Sequence, residues 1–191
     1  QVKTVIGEHA FDDLYGYDLI IRTAGLHPKK IKTNGKIWSA TNEFFAKCPA
    51  KIVGVTGTKG KGTTASLIAS ILEAAGKKVW LLGNIGYPSL DSLAQIHPDD
   101  IVVYELSSFQ LWDLEKSPHA SVCLLIEPDH LNVHDNFADY VNAKAHIRKF
   151  QTDSDILVYH PTNVFSAQVA KASDKGKIQR YGIVDDGGVY E

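Results

Sequence analysis

The sequence predicts an α/β fold built on a mostly parallel sheet with helices on both faces, and three observations support that prediction. Short apolar runs at residues 52–55, 79–82, 101–104, 122–126 and 156–159 have the length and composition of buried strands. Helical spacing of apolar residues fills the intervals, most clearly over 65–76 and 137–150. Each apolar run also ends in glycine or polar residues. In a parallel sheet those exits line one edge, where open α/β folds hold their ligands.

Bulk properties narrow the function classes. The 191 residues, 44% of them hydrophobic, suffice for one core. A formal charge of −2 gives no general attraction to nucleic acid or anionic membrane, so neither is an expected partner. Cys48 and Cys123 fit neither a metal spacing nor a disulfide framework, and buried free thiols in a reducing, cytoplasmic setting are expected. No apolar run reaches the length of a membrane span, and the first residues lack the build of a signal peptide. Methionine is absent, so a piece of a longer polypeptide is expected.

In chain order, residues 18–21 form the first strand candidate and run into the turn-forming Thr23-Ala24-Gly25-Leu26-His27-Pro28. Residues 39–45 read as a capped short helix leading to the central strand. Residues 1–50 are too poor in elements to make a domain. The stretch Gly54-Val55-Thr56-Gly57-Thr58-Lys59-Gly60-Lys61-Gly62-Thr63-Thr64 then lies between a strand and a helix. Its glycines let backbone N–H groups approach phosphate oxygens, the helix start adds its positive end, and Lys61 adds a mobile charge. The general nucleotide-loop pattern would place glycine at Val55 and a hydroxyl at Gly62. Mg²⁺ would then need Thr63, Thr64 or Thr58.

Strand exits should bring residues 57–63, Gly83-Asn84-Ile85-Gly86, Glu105-Leu106-Ser107-Ser108-Phe109-Gln110 and Glu127-Pro128-Asp129-His130 to one crevice. Glu105, at the end of a buried run, is either a ligand of Mg²⁺ or the first solvated residue. His130 is a ligand candidate or an ordinary hydrogen-bonding loop residue. Helical spacing alone makes Lys144 a solvated lysine.

These motifs, with Asp129-His130-Leu131 and Tyr140-Val141-Asn142-Ala143-Lys144, closely resemble the central ATPase domain of the Mur ligases in order and spacing. The resemblance makes residues 51–191 the central ATP-binding domain, P-loop NTPase-like in fold, and residues 1–50 the end of an amino-terminal uridine-nucleotide-binding domain with its connection. The family's carboxyl-terminal domain is expected to lie outside these residues. The Glu105–Leu111 string is most like the members that join D-glutamate to UDP-N-acetylmuramoyl-L-alanine, so the resemblance implies an ATP-dependent amide-forming ligase of peptidoglycan precursor synthesis. A monomer is expected, and this portion alone is expected to be insufficient for turnover.

Residue by residue, the resemblance implies that Gly57, Thr58, Lys59, Gly60, Lys61, Gly62, Thr63 and Thr64 bind ATP. It gives Glu105 one Mg²⁺, with Thr63 the candidate hydroxyl, and His130 a second Mg²⁺ near the transferred phosphate. Lys144 matches the lysine that CO₂ carbamylates to support that second metal. Asn84, Ser107 and Gln110 match positions that contact or shape the muramoyl-alanine pocket, although capping the following turns is the ordinary role of such residues. Family members often carry Asp and Arg where Asn132 and Val133 stand. The glycine after Lys61 also resembles folylpolyglutamate synthases, and a nucleotide-binding module without catalysis is the remaining class.

Overall fold

The computed structural model describes residues 4, 6, 7, 9–85 and 88–182; Gly86 of the second motif and residues 183–191 lie outside them. Strands β1 (Leu19–Arg22) and β2 (Lys36–Ser39) form a small parallel pair. Helix α1 (Ala40–Lys47) follows directly, its first turn capped by Ser39 Oγ, which accepts from the Asn42 amide at 3.1 Å. The expected capped helix is therefore present and runs two residues further than its apolar pattern suggested.

The main sheet contains β3 (Lys51–Thr56), β4 (Val79–Gly83), β5 (Ile101–Glu105), β6 (Ala120–Cys123), β7 (Ile156–Tyr159) and β8 (Lys177–Arg180). All neighbours are parallel, in the order β4-β5-β3-β6-β7-β8. The crossovers carry α2 (Lys61–Ala74), α3 (Ser89–Ser92), α4 (Ser108–Leu111), α5 (Phe137–Lys149) and α6 (Val164–Ala170).

Alternation along the strands builds two cores. Ile52 of β3 and Val102 and Tyr104 of β5 face one side, where they join Phe44, Phe45, Leu111, Ile147 and Val169. Val55 and Val103 face the other, against Ala65 and Ala69 of α2. Small residues on α2 let the helix lie close to the sheet and bring its amino-terminal turn up to the exits of β3 and β5. Helix α2 begins at Lys61, four residues before the apolar pattern shows it, because the glycine loop runs straight into its first turn.

One strand was misplaced by its apolarity. Residues 122–126 read as a strand, but β6 ends at Cys123, and Leu124 and Leu125 turn toward the glycine loop. Their backbone bonds go there: Leu124 N–H donates to Thr56 O and Thr58 N–H to Leu125 O, each at 2.9 Å. No helix among the described residues is long and apolar enough to cross a membrane.

Candidate functional site

The exits of β3, β4 and β5 and the start of α2 meet around the glycine loop. Gly57 has φ +150°, and a Cβ there would stand 2.6 Å from Leu124 Cβ, so a side chain is excluded on both counts. Gly60 caps α2 in the left-handed region. The Thr58 hydroxyl is fully engaged, bonding Glu127 O at 3.0 Å and Tyr140 Oη at 3.0 Å and accepting from Glu127 N–H at 2.9 Å. It is therefore unsuited to hold a metal, which corrects one of the three hydroxyl candidates. Thr63 and Thr64 lie in the first turn of α2, where Thr63 is exposed. The Lys61 ammonium donates to Thr58 O at 2.9 Å, and Lys59, Gly60 and Thr64 line an adjoining cavity of about 320 Å³ with Leu125 and Tyr181.

Glu105 is 4% exposed. Its Oε1 accepts from Asn84 Nδ2 at 3.1 Å, while Oε2 stands 3.0 Å from where a Cβ of Gly62 would be. Gly62 thus clears the space that the carboxylate uses. Among the described residues no protein donor meets Oε2, and a buried carboxylate oxygen left so is costly unless a cation attends it. A hard divalent ion fits this oxygen beside a glycine loop and a helix amino terminus.

Lys144 is the other buried charge. The solvated lysine that helical spacing suggested is 1% exposed, because its face of α5 packs under the loop rather than toward water. Its Nζ donates to Gly57 O at 2.8 Å and to Thr56 Oγ1 at 3.4 Å and lies 4.5 Å from the Tyr140 ring centroid. Burial, and then the nearby Lys61 charge, push its pKa down to about 7, against a weaker pull from Asp129. An amine so placed is substantially neutral near pH 7, and a neutral amine is the form that reacts with CO₂. Cys123 beside it is inert, its thiol pushed up to about 12 by burial.

The remaining candidates are placed differently. Ser107 and Gln110 form a capping box on α4: Ser107 Oγ accepts from Gln110 N–H at 3.3 Å, and Gln110 Oε1 accepts from Ser107 N–H at 2.9 Å. Gln110 also lines a cavity of about 390 Å³ with Arg22, Ser39, Thr41, Gly83 and Tyr104. His130 is exposed, in the loop after β6, with its ring 5.0 Å from Phe109. No direct contact joins it to Lys144 or Glu105 among the described residues.

Sequence reasoning missed a buried chain of side chains beside this site. Asp139 of α5 accepts from His134 at 2.7 Å, His27 at 3.2 Å and Trp112 at 3.3 Å, and His134 reaches Ser108 at 2.9 Å. Its members fall in three distant stretches, at 27, 108–112 and 134–139, and no motif spacing signals them. Burial works against the Asp139 carboxylate, yet those three donors together hold its pKa below the ordinary value.

Residues 55–188 match the family described as the Mur ligase middle domain. The chain belongs to that family. Among curated relatives of this Mur ligase domain, the UDP-N-acetylmuramoylalanine–D-glutamate ligase of Clostridium kluyveri is 39% identical over 189 residues, covering 96% of this chain and 41% of the relative. The enzyme of the same name from Acetivibrio thermocellus is 40% identical over 176 residues, covering 89% and 38%. The chain thus spans about two-fifths of the length of these relatives. Among solved structures, UDP-N-acetylmuramate:L-alanyl-gamma-D-glutamyl-meso-diaminopimelate ligase from Neisseria meningitides superposes with a TM-score of 0.61 at 15% identity, covering 88% of this chain and 59% of that one. At that identity the likeness concerns the fold, which has the Mur ligase central architecture.

Proposed function

We propose that this chain is the central, ATP-binding part of a ligase that joins D-glutamate to UDP-N-acetylmuramoyl-L-alanine in the cytoplasm, acting as a monomer with domains outside residues 51–191. The observation that carries the proposal is the buried Glu105 carboxylate, with one oxygen that meets no protein donor among the described residues and is turned to the first turn of the glycine-loop helix. The substrate class follows the two curated relatives, which bear that enzyme's name.

In this function the loop amides of residues 57–64 and the Lys61 ammonium cradle the β- and γ-phosphates of ATP. The substrate carboxylate attacks the γ-phosphorus as the bond to ADP breaks, giving an acyl phosphate. The D-glutamate amine then attacks the acyl carbon, loses a proton, and phosphate leaves. Lys61 neutralises charge growing on the transferred group. Glu105, with Thr63 or Thr64 nearby, would hold one Mg²⁺, and His130 with a carbamylated Lys144 would hold a second. When bound, the ions supply charge neutralisation at the phosphates. Asn84 fixes the Glu105 side chain, and Ser107 and Gln110 shape the entrance of the muramoyl-alanine pocket through the cap they form.

The test is phosphate release by the full-length protein with ATP, UDP-N-acetylmuramoyl-L-alanine and D-glutamate, beside a parallel assay with a folate and L-glutamate. Release only with the first set, lost in Lys61→Ala, is the expected result. Turnover with the folate set, or near-normal turnover in Lys61→Ala, would remove the assignment.

A further inference from the structure

His130 is the only non-glycine residue with positive φ (53°) among the described residues. Backbone of that kind persists where its surroundings over-determine it. Two amides close the turn that follows it, Val133 N–H and His134 N–H, both donating to His130 O at 3.0 Å. On the other side, His130 N–H donates to Asp129 Oδ1 at 2.9 Å. The side chain of His134 then ties the far end of this turn to two helices.

Hydrogen-bond partners fix the tautomers along that tie. Lys29 N–H donates to His27 Nδ1 at 3.1 Å, so His27 Nε2 carries the hydrogen that reaches Asp139 Oδ2. The same Asp139 oxygen accepts from Trp112 Nε1 and from His134 Nδ1. His134 Nε2 is therefore an acceptor, and the Ser108 hydroxyl donates to it at 2.9 Å. Burial lowers the His134 pKa, against the hydrogen bond that the ring donates to Asp139, in keeping with a neutral ring. Although Ser108, His134 and Asp139 stand in the order of a hydrolytic triad, Ser108 is 2% exposed and cannot meet a substrate.

The tie also sets an aromatic wall. Phe109 stacks on the His134 ring at 5.5 Å and 18°, and its other neighbour is the His130 ring at 5.0 Å. Trp112 closes the back, 4.5 Å from His134 and 5.2 Å from Phe109. His134 thus meets His130 by two routes, backbone through the turn and side chain through Phe109.

We propose that His134, held by Asp139 and Ser108, is a positioning residue that sets where the His130 imidazole stands. This rests on the assignment of His130 to the transferred-phosphate end of the site. Its consequence is that His134 affects turnover only through His130.

A double-mutant cycle on the full-length enzyme tests it, with single-turnover ADP formation and the KM for ATP as readouts and thermal melts as a folding control. His134→Ala should lower the rate by about tenfold with KM for ATP nearly unchanged, and in the His130→Ala background it should cost nothing further. His134→Asn, which can still donate to Asp139, should recover part of the rate. If His134→Ala fails to fold, the same cycle is run with His134→Asn. A slow His130→Ala enzyme in which the His134 change adds its own full loss, or a His134 change without effect on the rate, overturns the positioning role and leaves the site assignment standing. An unchanged rate in His130→Ala alone overturns the His130 assignment itself, and the positioning role with it.

Discussion

Replacing Lys144 by methionine should stabilise the folded chain, most strongly at low pH. The Nζ lies at the end of a 1%-exposed side chain whose hydrogen-bond partners among the described residues are one carbonyl and one hydroxyl, with no carboxylate among them. Burial, then Lys61, lowers its pKa from 10.5 to about 7. At about 1.4 kcal/mol per pH unit, that displacement sets a ceiling of about 5 kcal/mol on the cost of keeping the ammonium folded. Methionine of similar length forfeits the bond to Gly57 O, about 1.5–3 kcal/mol for a charged donor, so a net gain of about 2–3 kcal/mol is expected below pH 7. Between about pH 7 and 10.5 the unfolded chain binds the extra proton, so wild-type stability climbs with pH and the gap to the variant closes. Urea denaturation of both proteins in CO₂-free buffer at about pH 6 and 9.5 should show the gap shrinking by about 3 kcal/mol. A gap that stays constant within about 1 kcal/mol would refute the idea that the lysine is buried at an energetic cost.

Three further perturbations probe the site. Lys144→Ala in the full-length enzyme should lose turnover and regain part of it with added acetate or propionate; absence of rescue, with an unmodified native mass, speaks against the carbamate. Gly57→Ala should destabilise by about 2–3 kcal/mol in denaturant melts, since its Cβ would meet Leu124 at 2.6 Å in a left-handed backbone. Gly62→Ala meets only the movable end of the Glu105 side chain, so stability should change by less than about 1 kcal/mol while the Mg²⁺ requirement of ATP binding rises several-fold by calorimetry.

The central strands and the glycine loop were legible because each couples a local pattern to a burial: residues 101–104 are apolar throughout, and strand β5 is flanked by partners on both edges. Strand β8 was invisible, since Lys177, Ile178, Gln179 and Arg180 are all exposed and carry no apolar alternation. Lys36–Ser39 escaped notice for a like reason, being four residues with no alternation. The run at 122–126 misled because Leu124 is apolar for the sake of the loop it packs under, not for a sheet, and Leu125 beside it is exposed. For the site, Lys61, Glu105 and Asn84 announce themselves at strand exits, and Asn84 meets Glu105 at 3.1 Å. The depth of Lys144 is a tertiary fact that helical periodicity cannot carry. The Ser108–His134–Asp139–His27 chain joins three separate stretches, at 27, 108 and 134–139, and leaves no trace in any one of them.

Helix α1 lies ahead of the span that the family model matches, yet inside the folded core. The family match begins at residue 55, while Phe44 and Phe45, both wholly buried, already pack on Tyr104 of β5 with ring centroids 5.3 and 5.4 Å away. Asn42 fastens the same helix to the loop after α4, donating to Asp113 O at 2.8 Å and accepting from Glu115 N–H at 2.9 Å. Two buried phenylalanines are worth about 3–6 kcal/mol together, a large part of the stability of a domain this size. A polypeptide cut at the family boundary would expose the floor beneath Tyr104 and forfeit that contribution. The folded unit therefore takes in chain ahead of the family boundary, through α1 and, farther back, through His27, whose ring bonds Asp139 of α5.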